Sequence, residues 1–223
     1  MIHDDLALLL NCVATDGRFH THAIVQDEQA MRTPEPSQNG APLLKNLTLE
    51  GFSKNELLLL PDLAKGKGGV MSPLLSTIGK QQPDTQNRPT SPEPGGKAPN
   101  TSWNRSCDGL LIRIGAVRQD GVTPLELGYF DLKSGNPSGY EGQFLSMQCF
   151  MKGYVLALLD VFFGKKCEVV RERFIVFHTD KQGKGQSLQK KRSVPEPKSA
   201  CSAQNAIKII VKNEARIHVA QYF

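Results

Sequence analysis

The residues of this chain whose types and spacing could do chemistry are Asp108 and the pair Asp131 and Lys133. Asp108 opens the apolar run Gly109-Leu110-Leu111-Ile112, and Phe130-Asp131-Leu132-Lys133-Ser134-Gly135 closes a second such run further along. Residues two apart on a strand share a face, so Asp131 and Lys133 point the same way. If the two runs pair, Asp108 joins them at one end of a sheet. Two carboxylates hold a hard divalent cation through oxygen, and an ammonium beside them orients a water or balances charge developing on a phosphorane. Such a set is equipment for phosphodiester hydrolysis.

Positioning them takes a hairpin and a following helix. Leu110 to Val117 reads as a strand, Gln119-Asp120-Gly121 as a turn and Leu125 to Leu132 as the second strand. Asn136-Pro137-Ser138-Gly139 breaks the chain, and Tyr140 to Phe163 is then long enough for about six helical turns. A membrane span is the alternative for that stretch, but Gln148, Lys152 and Asp160 lie inside it, where central charges are costly, so a buried helix is expected and no membrane partner. Val169 to His178 is a further strand, Asp180 to Ser202 is irregular, and Ile207 to Val211 with Ala215 to Val219 reads as a terminal hairpin around Lys212-Asn213-Glu214. As a strand-end residue Lys133 is expected at the surface, where its removal leaves stability nearly unchanged.

Upstream, Ile2, Leu6, Leu9, Leu10 and Val13 make one helical stripe with Asp4 and Asp5 in the first turn, and Phe19 to Val25 has short β character. Ten of the fourteen prolines then fall between Pro34 and Pro99 among frequent Gly, Ser, Thr, Asn and Gln, which reads as a mostly disordered insert. Within it Ser53 and Glu56 form a capping-box pattern ahead of Leu57 to Leu60, so a short helix is expected near 53–60. The expected map is 1–31 as N-terminal helix and short strand packing on the core, 32–103 as insert, and 104–223 as an α+β core domain with a mixed β-sheet and flanking helices.

The 223 residues carry 27 Lys and Arg against 22 Asp and Glu, a net charge of +5, and 39% are hydrophobic. That excludes a chain disordered throughout, and the mild basic excess names no partner. Five cysteines, odd in number and without a C-x-x-C pair, exclude a disulfide framework and a zinc ribbon. With no secretory or transit pattern after Met1, the expected home is intracellular, cytoplasmic or nuclear. His20 and His22 lack a completing ligand set, Gly66-Lys67-Gly68-Gly69 departs from the phosphate-loop order, and Lys190-Lys191-Arg192 reads as a solvated charge run.

The segment 106–178 resembles the PD-(D/E)xK nuclease superfamily, in which an acidic residue and then Asp/Glu-x-Lys stand on adjacent strands followed by a helix and another strand. It is most similar to the RecB-like branch, where a Gln of that helix supports the site. Cys107 stands in place of the name-giving proline, and Lys152 rather than Tyr follows four residues after Gln148. The resemblance implies a restriction-endonuclease-like core and a Mg²⁺-dependent nuclease acting on DNA or RNA. In it Asp108 and Asp131 bind the metal, Lys133 positions the attacking water, and Gln148, or alternatively Gln143, supports that shell. The competing expectation is a non-enzymatic interaction or adaptor protein, viral or an inactive nuclease-fold relative, that binds a protein partner through Phe52 and Leu57 to Leu60.

Overall fold

The computed structural model describes residues 2–12, 21–23, 28–32, 44, 46–59, 107–135, 137–179, 201–212 and 215–221. Among the described residues nine strands form two sheets, and with the helices they stack in three layers. The strands are β1 (Thr21–Ala23), β2 (Glu28–Arg32), β3 (Asn46–Glu50), β4 (Glu56–Leu59), β5 (Gly109–Ile114), β6 (Thr123–Lys133), β7 (Cys167–His178), β8 (Ile207–Ile210) and β9 (Ala215–His218). A six-stranded sheet runs in the order β1-β4-β5-β6-β7-β8, and a three-stranded sheet in the order β2-β3-β9. In the larger sheet each neighbouring pair among β1, β4, β5 and β6 is antiparallel, whereas β6, β7 and β8 are parallel, so the sheet is mixed and the fold α+β. The expected hairpin is β5 and β6, and the expected N-terminal helix is α1 (Ile2–Cys12).

Alternation along each strand divides the apolar residues between two cores. Leu57, Leu59, Leu110, Ile112, Leu125, Leu127, Tyr129, Phe174 and Val176 face the helices, while Leu58, Leu111, Phe130, Leu132, Ile175 and Phe177 face the small sheet. Between β6 and β7 the chain crosses over through α2 (Glu141–Phe150), a π-helical turn (Met151–Val155) and α3 (Leu156–Phe163). Phe144, Met147, Met151, Val155 and Leu159 form the buried stripe of this helix. Four α-helical turns hold about 14 residues, and the π turn absorbs the extra one that keeps Phe144 and Leu159 on the same side. The helix Glu141–Phe163 is long and apolar enough to cross a membrane, and here its inward stripe packs on the sheet as a core helix does. Gly164, at φ 59°, ends it with amide bonds from Gly164 and Lys165 back to Asp160 and Leu159.

Two expectations are corrected. The short helix near 53–60 is instead a turn and β4. The Ser53 amide does donate to Glu56 Oε2 at 2.7 Å, as in a capping box. However, three successive leucines cannot share one helical stripe, and an extended chain sends Leu57 and Leu59 to one core and Leu58 to the other. Leu57, Leu58 and Leu59 are thereby fully buried, and residues 46–59 of the expected insert belong to the sheets. Apart from Arg32 at the end of β2 and the buried Leu44, the other residues of that insert, Leu60 and Gly66 to Gly69 among them, lie outside the described residues, as do Lys190 to Arg192. The terminal hairpin also does not form: β8 pairs parallel with β7, while β9 pairs parallel with β3 in the other sheet.

The register of the large sheet is pinned by charge. Glu56 pairs across to Arg113, Arg113 to Glu126 and Glu126 to Arg171, so acids and bases alternate over β4, β5, β6 and β7. Arg113 donates to Glu56 Oε1 from Nε at 2.7 Å, and its Nη1 lies 3.5 Å from Glu126 Oε2. At Val170 the β6–β7 register shifts by one residue. Before this bulge Cys167 and Val169 face the helices, and after it Phe174 and Val176 do. Glu172 and His178 are carried onto the helix side with them.

Candidate functional site

The β5–β6 register, with Gly109 opposite Phe130, sets Asp108 opposite Asp131 on the helix side of the sheet. The Leu132 amide donates to Asp108 Oδ2 at 2.6 Å, locking the start of one strand to the end of the other. Lys133 follows on the same face, its Nζ 2.9 Å from Asp131 Oδ2. Lys133 Nζ also donates to Gln143 Oε1 at 3.0 Å, which reaches down from the first turn of α2. Beneath the group, Tyr129 stacks on Phe174 at 4.7 Å and Phe144 packs on the same ring, making a rigid apolar floor.

The setting is nearly dry. Asp131 is 0% and Asp108 8% exposed, and the Lys133 side chain is 12% exposed. Lys133 is therefore not the surface lysine its strand-end position suggests, because α2 folds over it. Burial, and after it the negative charge of Asp131, holds the Asp108 carboxyl well above the ordinary carboxylic range, so Asp108 holds its proton to higher pH than a free carboxyl does. The same two causes, with Asp108 adding to Asp131, raise the thiol of Cys107, which donates to the carbonyl of Gly109 at 3.2 Å. Cys107 is thus a neutral buried thiol and no nucleophile.

Two neighbouring carboxyl groups, one made a weaker acid by burial and then by the charge of the other, form an all-oxygen donor set that a hard divalent cation suits, since the cation offsets their mutual repulsion. Among the described residues no group of three or more His, Cys, Asp and Glu gathers for a metal. Asp108 and Asp131 would therefore be the side-chain ligands, a number typical of Mg²⁺ sites that draw their remaining oxygens from water and substrate phosphate.

Gln148 is not brought to this group. It lies more than a helical turn beyond Gln143, and its Nε2 donates to both oxygens of Glu172, at 3.1 and 3.0 Å. Tyr129 Oη donates to Glu172 Oε1 at 3.1 Å, and Lys152, on the π turn, approaches Oε2 at 2.5 Å. Burial and then the Glu172 charge raise the Tyr129 hydroxyl well above its ordinary value, so it remains a donor. Glu172 has no signal in the local pattern, since only the bulge at Val170 turns it inward. His178 likewise has no local signal, yet it pairs in register with Lys133, and its Nδ1 lies 3.0 Å from the carbonyl of Thr179. Of the remaining sequence candidates, His22 lies in β1 and Phe52 packs on the core of the small sheet, while His20 lies outside the described residues. No protein-family model matches this chain, and neither a curated protein nor a solved structure does.

Proposed function

We propose that the chain is a Mg²⁺-dependent nuclease of the PD-(D/E)xK kind, hydrolysing nucleic-acid phosphodiesters at the Asp108, Asp131 and Lys133 group. The observation that carries this reading is the joint placement of two carboxyls and an ammonium on one sheet face, with a helix glutamine on the ammonium. An antiparallel strand pair, a helix and a parallel strand follow in the order the resemblance implies. Bound Mg²⁺ would polarise the phosphate and lower the acidity barrier of a water. Asp108 gives up its proton and, with Asp131, supplies carboxylate oxygens. Gln143 keeps Lys133 from swinging away, and the ammonium orients the water oxygen that attacks phosphorus and offsets the charge gathering on the phosphoryl oxygens. A P–O bond forms to the water oxygen as one P–O ester bond breaks, the water releases a proton to solvent and the departing sugar oxygen takes one up, leaving a phosphate monoester and a hydroxyl.

The test is cleavage of labelled single- and double-stranded DNA and RNA by the full chain. Activity is expected with Mg²⁺ or Mn²⁺, none with chelator, and a fall of about a hundredfold or more for Asp131→Asn, an isosteric change that keeps the fold. A folded, metal-supplied protein that cuts none of the four substrates refutes the reading.

A further inference from the structure

The sheet continues past the carboxyl groups toward its edge, where Val176 on the helix side is buried and Lys208, one strand further, is exposed. Asp131 pairs in register with Val176 and Val176 with Lys208, while Lys133 pairs with His178. Ile207 and Ile209 turn to the small-sheet core, which leaves Lys208 on the helix side of β8, the edge strand. Two strand spacings separate Asp131 from Lys208, about 10 Å across the sheet.

Lys208 is exposed but not adrift. Its Nζ stands 5.5 Å from the centre of the Tyr140 ring, and Tyr140, buried against Phe144, anchors its hydroxyl on the carbonyl of Gln204 at 3.3 Å. Tyr140 and Gln143 flank the same first turn of α2, so one helical turn holds both lysines, Gln143 taking Lys133 and Tyr140 taking Lys208. The only acidic side chain of that turn is Glu141. A lysine held against an aromatic face keeps its charge while losing freedom, which lowers the entropic cost of contacting an anion.

Resting on the nuclease reading, we infer that Lys208 with Tyr140 forms a subsite for a phosphate flanking the scissile one, so that the backbone of a single nucleic-acid strand runs from the carboxyl pair past His178, around the buried Val176, to the sheet edge. A lysine on an edge strand also guards against edge-to-edge pairing, and that role predicts no effect on nucleic-acid binding.

The experiment is binding of a fluorescein-labelled oligothymidylate of about eight nucleotides to the full chain in chelator, over a salt series, with far-UV circular dichroism as the folding control. Lys208→Ala is expected to weaken binding about fivefold and to flatten the slope of log K against log salt by about 0.7, one phosphate contact on a single strand. Lys208→Arg restores most of the affinity, and Lys166→Ala, before the first residue of β7 at the opposite end of the sheet, leaves it unchanged. In cleavage the loss at Lys208 appears in KM. Equal weakening by Lys208→Ala and Lys166→Ala, or by neither, overturns the subsite, as does a wild-type chain that binds no oligonucleotide. Cleavage indifferent to Lys208 removes the subsite and keeps the nuclease. Lys208-dependent binding without cleavage in Mg²⁺ or Mn²⁺ keeps the subsite and removes the nuclease.

Discussion

Replacing Lys133 by alanine should unfold this protein more readily, and the size of the effect follows from the burial of its partner. The ammonium stands 2.9 Å from Asp131 Oδ2, and Asp131 is 0% exposed. At that distance and an effective dielectric near 20 the attraction is about 6 kcal/mol before desolvation is subtracted. Removing the lysine recovers its own desolvation but strands the carboxylate. Asp131 then escapes by taking a proton, which for a carboxyl of ordinary acidity costs about 4 kcal/mol at pH 7 and about 1.5 kcal/mol at pH 5. The cheaper route caps the loss, so Lys133→Ala should cost about 3 to 4 kcal/mol at pH 7 and clearly less at pH 5. The sign is set by the variant's folded state, which binds a proton that the unfolded chain releases, so its deficit grows as pH rises. Urea unfolding followed by far-UV circular dichroism at both pH values measures this, and Asp131→Asn with the double variant closes a cycle whose coupling should exceed about 1.5 kcal/mol. A deficit under about 0.5 kcal/mol at pH 7, or one that grows as pH falls, refutes the reasoning. Because the variant is destabilised, its cleavage activity must be read on the folded fraction.

Three further outcomes are expected. Asp108, raised by burial and by the Asp131 charge, holds its proton to higher pH in the folded chain than in the unfolded chain, which ionises from about pH 4 upward. Metal-free stability therefore falls as pH rises from there toward the folded value, and Asp108→Asn should remove that fall in urea titrations and be more stable than wild type at neutral pH. Gln143→Leu should lower cleavage about tenfold by freeing Lys133, whereas Gln148→Leu, which loosens Glu172 instead, should leave the rate within about twofold; the reverse order of effects would restore Gln148 to the site. Arg113→Ala strands Glu56, which is 1% exposed, and should cost about 2 to 3 kcal/mol, with much of it regained in Arg113→Met combined with Glu56→Gln; a silent Arg113→Ala would show the charge ladder to be ornamental.

Local pattern determined the parts of this protein whose physics is local. The β5–β6 hairpin, α1 and the helix 141–163 are legible because apolar periods and turn residues act over a few positions, and the pairing of Asp108 with Asp131 follows once a turn joins two strands of known phase. Partnership between distant segments was decided by tertiary packing. Ser53 and Glu56 make their capping contact, yet the leucines after them extend because two cores, one on each face of a sheet, compete for them. β8 and β9 look like a hairpin, but β7 and β3 offer them parallel edges in different sheets. The choice between Gln143 and Gln148 depended on how α2 is rotated over β6, and the inward turn of Glu172 and His178 on one extra residue at Val170, which inverts every later side chain of β7. A period of two carries no memory of such a slip, so only the paired strand reveals which face each of those residues takes.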